Sequence, residues 1–577
     1  MEVSETANSL QLPNSIPFWR LVLNPGAITQ EVADHHYVGS GTEQDPYVVD
    51  WMPKDFRNPL QLKTSMKWFI TVVAALETLV VALVSSAYTG GIVQIQERFG
   101  ATTEVATLGV SLYLVFVTTY CGLTIFCAAC TGAQNIETLL VFRFLSGAFG
   151  SSPLTNSGGV IADMFMARER GLALSAFALA PFLGPVIGPI AGGFLGMSSG
   201  GWKWVMGLLG ILCAVMWFLG AALKPETYAP VLLRQRANTL SKLTGQVYCS
   251  KLDIDQGRLT LKAALKISLS RPMILLFQEP IVLLLSIYLA IIYGTLYMLF
   301  GAFPIVYQIH RGWNQGVGGL AFIGVMIGMI GAVAYSIPEN QRYAKLLKKN
   351  GGYAPPEARL PPCMLASIAL PIGLFWFAWT NSPSVHWLVS VASGVPFGFG
   401  MLLVFLSVFN YLIDAYTIFA ASVLAANTLL RSLFGFAFPL FTKYMYEDLG
   451  IHWASCVPAF LALACVPFPF LLYKYGLSIR KHCKYSAQSE AFVQNLVRGL
   501  QKPTESAETE PEMSQIPSAN DEVASLSHNK ETPADARSIH HTLSRTSTNA
   551  THAMHRVPTY EANPYNVDRV HTRESFK

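Results

Sequence analysis

Long apolar runs dominate the chain, and their spacing sets the first expectation. About 20 consecutive apolar residues are enough to cross a bilayer as a helix. Runs of this kind fall near residues 68–90, 105–136, 138–161, 172–196 and 202–223. A polar stretch, 224–278, interrupts the series. Further runs follow near 279–301, 316–337, 362–381, 386–413, 415–441 and 450–473. The pattern predicts an all-α integral membrane protein with two helical bundles. It divides the chain into an N-terminal segment (1–66), a first bundle (67–223), a central loop (224–278), a second bundle (279–475) and a tail (476–577). The tail is rich in Ser, Thr, Glu and His and poor in aliphatics, so it is expected to be disordered. The first segment is expected to be partly so, with "PYVVDWMPKDFRNP" against the membrane surface. Met1 to Lys67 is too polar for a cleavable signal peptide, which leaves the first span as its own insertion signal.

Charge orients these runs. The central stretch carries Lys224, Arg234, Arg236, Lys242, Lys251, Arg258, Lys262, Lys266 and Arg271 against three acids. Arg342, Lys345, Lys348, Lys349 and Arg359 crowd the 338–361 loop, whereas 302–315 and 382–385 are almost free of basic residues. The excess of Lys and Arg on one side places the central loop, the 338–361 loop and the tail in the cytoplasm. The second bundle satisfies this with six alternating runs. The first does not. Its leading segment, with Lys54, Arg57, Lys63 and Lys67, reads as cytoplasmic too, yet five runs separate it from the central loop. Five crossings put two cytoplasmic segments on opposite faces. The anomaly lies in 105–136, which has no charged residue over its 32 positions. That is too long for one span and too short for two spans plus a loop, so it reads either as a re-entrant hairpin or as two spans with the middle removed.

Composition narrows the class. The 577 residues are 52% hydrophobic and 13% charged, with mean hydropathy +0.39. Soluble domains carry about 25% charged residues. Half that proportion, at this length, excludes an ordinary soluble enzyme, and nothing points to nucleic acid. Cys127 and Cys130 form a CxxC inside an apolar run, with no nearby His or acid, and read as packing residues. No GxxxxGK[ST] phosphate loop occurs, so ATP-driven export, covalent chemistry and a bound cofactor are all unexpected.

The residues "GPVIGPIAGG", Gly184 to Gly193, resemble the antiporter signature G-x-x-x-G-P-x-x-G-G of the fifth span of the major facilitator superfamily. "RFLSG", Arg143 to Gly147, is similar to the R-x-x-x-G motif of its fourth span. "GSSPLTNSGGVIADMF" (150–165), "KPETYAPVLLRQRA" (224–237), "EPIVLLLSIYLAIIYGTLYMLF" (279–300) and "NYLIDAYTIFAASVLAANTLLRSLFGFAFPLF" (410–441) resemble the fungal drug:proton antiporter branch. The resemblance runs from about Pro46 to Tyr485. It implies two bundles of nominally six spans, alternating access around a central site, and a proton gradient in place of a cofactor. Family members also carry a Gly/Arg-rich loop between spans two and three. Here no Lys or Arg occurs between Arg98 and Arg143. The end of span two, the loop and the start of span three are missing, at the place the crossing count singles out. The first bundle is therefore expected to be one span short.

Ionisable residues inside spans are costly and default to functional candidates. Arg143 is assigned to proton coupling through a carboxylate partner, and Glu77, within 68–90, to the same role or to binding a cation. Gly184, Pro185, Gly188, Pro189, Gly192 and Gly193 form the antiporter motif, whose small residues let helix backbones meet. Tyr288, Tyr293 and Tyr297 recur at helical spacings and are assigned to a substrate cavity together with Asn156, Asn427 and Arg431. Glu279 is expected to interact with the dipole of the helix it opens, and Asp414 to form a salt bridge. The reading is a monomeric, proton-coupled exporter of small organic compounds (drugs, toxins, polyamines or secondary metabolites). It is expected in the plasma membrane with both termini cytoplasmic. The alternative is a truncated protein that does not transport. An importer is disfavoured by the antiporter decamer.

Overall fold

The computed structural model describes residues 12–13, 16–53, 55–88, 94, 120–150, 159–161, 163–256, 261–350 and 354–501. Helices dominate, as a lipid-embedded chain requires, since backbone polar groups without water must pair within their own segment. In the first half they are Thr64–Ala87, Tyr120–Thr131, Ile136–Gly150, Ala167–Gly196 and Gly201–Leu223. The anomalous run is described only from residue 120 onward, and its remainder lies outside the described residues. In the second half the helices are Pro280–Phe303, Ile323–Lys349, Pro361–Thr380, Gly394–Ala415, Ala420–Cys465 and Pro467–His482. Ala420–Cys465 is broken at Gly450, whose φ of 73° lies in the left-handed region. A side chain is disfavoured there, and Gly allows the chain to turn between two spans. Eight helical segments among the described residues are long and apolar enough to cross a membrane, and one of them, Thr417–His482, is 66 residues long.

Ala167–Gly196 holds Pro181, Pro185 and Pro189 yet stays helical over 30 residues. The four-residue spacing puts the three rings on one face. Glycines on the adjoining face bring a second helix close enough for a hydrogen bond to backbone: Ser86 donates to the Gly184 carbonyl at 3.4 Å.

The two polar segments are folded. Residues 16–62 pack on the central stretch, which carries helices Ala229–Thr244, Lys251–Gln256 and Leu261–Gln278 in place of the expected loop. Strand Tyr47–Val49 pairs in parallel with Tyr248–Ser250. Ile28, Val32, Val49, Leu233, Ala237 and Leu240 form the core of this module. Beneath it, Asp55 and Arg236 make a buried two-pronged ion pair at 2.6 and 3.1 Å. Arg234 pairs with Asp253, and Lys251 with Asp50. Much of the central basic charge is thus neutralised locally. A second correction concerns the tail. Residues 476–501 were expected to be disordered, but they complete the Pro467–His482 helix and form Lys484–Gln501. Arg480 holds this region by pairing with Glu357 at 2.9 Å and Glu490 at 2.8 Å. The remainder of the tail lies outside the described residues.

Candidate functional site

The motif helix, Ala167–Gly196, faces two ways. Gly184, Gly188 and Gly192 lie one turn apart against Thr64–Ala87. A Cβ at Gly184 would stand 2.7 Å from the Leu79 carbonyl oxygen, and one at Gly192 would overlap that of Ala87. Gly193 turns instead to the second half, where its Cβ would meet the Gln315 oxygen at 2.5 Å. From the other side, a Cβ on Gly319 would meet the Pro189 oxygen at 2.6 Å. The decamer therefore serves two backbone-to-backbone contacts, one within its bundle and one between the halves. Only glycine permits both.

Beside this seam, buried polar groups connect the halves. Arg143 is 1% exposed. Its guanidinium donates to the carbonyls of Val84 at 2.9 Å and Ser85 at 3.2 Å, and lies 4.6 Å from the centre of the Tyr88 ring. The Ser85 hydroxyl shares a 2.9 Å hydrogen bond with the Tyr297 hydroxyl across the interface. Tyr293 donates to Tyr297 at 3.3 Å. The guanidinium of Arg431 lies 4.8 Å from the Tyr293 ring and 5.6 Å from that of Phe405. Phe182 of the motif helix packs on Phe405 with ring centres 4.5 Å apart. Two arginines, one from each half, are thus joined by a path of hydroxyls and aromatic rings.

The sequence candidates divide around this path. Arg143, Tyr293, Tyr297 and Arg431 come together on it. Asn427 lies one turn before Arg431, fully buried, and donates to Ser286 at 3.3 Å. Tyr288 is a correction: it leaves the cluster and packs edge-on to Phe468 at 6.3 Å. Five residues at about 100° each turn it well away from Tyr293, so shared helical spacing did not mean a shared face. Asn156 lies outside the described residues. Glu77 is buried and ion-paired with Lys224, at the end of Gly201–Leu223. A Cβ on Gly220 would overlap its carboxylate, so that glycine makes room for the pair. Glu279 stands at the N-terminal end of Pro280–Phe303, where its dipole interaction was expected. Its carboxylate makes no cap on its own helix. It accepts instead from the Tyr416 hydroxyl at 2.8 Å and the Tyr485 amide at 2.9 Å. Asp414 pairs with Arg359 at 2.9 Å, as expected of it.

Ser85, Phe182 and Phe405 were not singled out from sequence. Ser85 sits in an ordinary apolar run, and its role depends on a partner 212 residues away. Phe182 alone carried a usable signal, lying two residues before the antiporter decamer.

The comparisons agree with this architecture. The profile of the Major Facilitator Superfamily matches residues 58–439. A major facilitator superfamily multidrug transporter, mdrA of Aspergillus fumigatus, is 58% identical, covering 98% of this chain and 97% of its own. An MFS-type efflux pump of Trichophyton rubrum is 56% identical, covering 97% and 96%. The efflux pump FUBT of Fusarium oxysporum is 49% identical, covering 81% and 82%. The first alignment runs over 589 positions against 577 residues here, so at least 12 positions have no counterpart in this chain. The profile match and these identities carry the conclusion that the chain is a multi-pass membrane protein of the major facilitator superfamily, a transporter of small molecules and not an enzyme.

Proposed function

We propose that the protein is a proton-coupled exporter of small organic compounds, working by alternating access. It acts as a monomer in the plasma membrane, with both termini cytoplasmic. The observation that supports this most is the seam between the halves. It combines glycine-tight backbone contacts, at which two rigid bodies can rock, with a buried polar and aromatic path suited to an organic substrate. The names of the relatives, which are efflux pumps and a multidrug transporter, favour export over import. In this reading Arg143 couples proton movement to the path through the Ser85–Tyr297 hydrogen bond. Glu77 takes part by exchanging Lys224 for a proton, and the antiporter motif restrains leak.

The test is efflux of a fluorescent or radiolabelled drug from cells lacking their own exporters. Export that stops when the proton gradient is collapsed supports the reading, and gradient-independent uptake overturns it. A second reading, a chain that does not transport, is favoured by the positions absent relative to the first relative. It predicts no efflux from this chain but gradient-dependent efflux once a loop of about that length, Gly/Arg-rich, is restored between Glu104 and Glu137.

A further inference from the structure

Asn427 and Arg431 stand one turn apart on the same side of Ala420–Cys465, against Ser286 and Tyr293 of Pro280–Phe303. Each carries a buried polar atom without a hydrogen-bond partner: the Asn427 carbonyl oxygen and the Arg431 Nε. Among the described residues no carboxylate lies within ion-pair distance of Arg431, and its contacts are the faces of Tyr293 and Phe405. The acid of the first span is engaged elsewhere, since Glu77 is paired with Lys224. Aromatic faces attract a cation but leave its N–H edge unpaired. An ionised group within a span is ordinarily matched by an opposite charge, and an orphaned buried polar atom calls for an explanation.

We propose that the missing partner is the substrate, and that the transported class is planar aromatic organic acids bound as anions, with Arg431 receiving the carboxylate. This rests on the reading of the protein as an exporter. The guanidinium fork matches a carboxylate with two parallel hydrogen bonds. The buried rings of Phe182, Phe405 and Tyr293 pack on one another beside it and become flat apolar surface for the substrate when the halves part. Asn427 serves a polar substituent on the substrate ring. A cationic compound meets an uncompensated positive charge and is rejected. The site is also continuous with the coupling path, because the Tyr293 ring that holds Arg431 carries the hydroxyl bonded to Tyr297.

The test uses the purified full-length chain in lipid nanodiscs, with 2-naphthoate and its methyl ester as probes of equal shape and unequal charge. Binding is read by tryptophan fluorescence, and folding by thermal unfolding. The wild-type protein is expected to bind the acid roughly tenfold to hundredfold more tightly than the ester, the range for a hydrogen-bonded charge. Arg431→Gln should abolish the preference while leaving ester binding in place, and Arg431→Lys should keep part of it. Equal affinities in the wild type, binding of neither probe, or a preference that survives Arg431→Gln would each overturn the assignment. Efflux of an uncharged drug is measured in parallel. If it fails while the Arg431-dependent preference holds, the export reading falls and the anion site stands. If drug efflux holds without the preference, the anion site alone falls.

Discussion

The two halves each place an arginine beside the central seam, and they treat it differently. Arg143 is sealed in by its own bundle, with carbonyl oxygens on its nitrogens and the Tyr88 ring beside it. Among the described residues Arg431 is held by rings alone, with a buried Nε that none of them satisfies. Carbonyl dipoles fix both the charge and the direction of each N–H bond, so Arg143 has one pose and belongs to the machinery. Rings fix the charge but not the N–H bonds, so Arg431 remains able to bind something else. A buried cation is thus better characterised by what satisfies its donors than by its depth. The packing around each arginine differs in the same way. The first half meets its neighbours through backbone at Gly184, Gly188 and Gly192. Such backbone contacts recur in the second half at Gly324, Gly328 and Gly398, but the helix pair that carries Arg431 meets through side chains, with Phe438 over Gly294.

Removing Arg143 is expected to have the largest effect. Arg143→Ala should abolish gradient-dependent export and lower the thermal midpoint. Arg143→Lys should restore folding but not export, because a point charge cannot bond two carbonyls as the fork does. Export by Arg143→Lys at wild-type rates would sink the contrast between the two sites.

A paired arginine outside the membrane calibrates the cost of breaking such a fixture. Arg236→Met leaves Asp55 buried and unpaired, and should cost about 3–5 kcal/mol in the stability of the N-terminal module. Denaturant titration followed through the nearby Trp51, whose ring lies 5.1 Å from the Arg236 guanidinium, reads it directly.

The packing contrast is tested with a pair of alanines. Gly192→Ala pushes a methyl group onto the Ala87 oxygen and should destabilise by about 1–3 kcal/mol, as overpacking does. Gly294→Ala meets only the Phe438 ring, at 3.0 Å, which can shift. Its effect should be well below that of Gly192→Ala in parallel thermal unfolding, and equal effects would remove the distinction.

Tyr297→Phe deletes the hydroxyl that joins Ser85 to Tyr293. A net loss of about 0.5–1.5 kcal/mol is expected, together with slower export and unchanged substrate affinity. A change in affinity alone would place Tyr297 with Arg431 and not with Arg143.

The last expected effect, absent at neutral pH, is a pH dependence. Burial pushes the Tyr37 phenol up to about 12, and it donates to the Val32 carbonyl at 2.9 Å. A raised acid favours the folded state while protonated. Its contribution is complete below pH 10 and declines as pH rises toward 12. The N-terminal module should therefore loosen between these values, and Tyr37→Phe should weaken this response in a fluorescence titration.

Much of the architecture was legible before any coordinates. The spans of the second half follow from apolar length, because a bilayer demands about 20 such residues whatever their order. The decamer at Gly184 announced a close helix contact, because so many glycines and prolines in an apolar run have few other uses. The crossing count points to an irregularity in 105–136 from charge alone, and residues 105–119 of that run lie outside the described residues. The N-terminal module was not legible. Its strands lie about two hundred residues apart, and the Asp55–Arg236 pair is separated by 181. Their composition is that of loops. Lys484–Gln501 was missed for a related reason, since a polar helix held by Arg480 has no apolar run to reveal it. Tyr288 was misplaced because recurrence along a helix does not specify direction.

Apolar length and composition were enough to show that this chain lives in lipid and which runs are candidates to cross it, and small-residue spacing that Gly184–Gly193 lies against another backbone. These are consequences of solvent and of local geometry, which act on each segment separately. Tertiary structure alone decided which partner each polar residue meets. It gave Glu77 to Lys224, Arg143 to the first-span carbonyls, Ser85 to Tyr297, and Arg431 to two rings. Such pairings depend on the rotation of each helix about its axis. That rotation is set by packing against neighbours distant in sequence, where about 100° per residue separates a cavity face from a buried one.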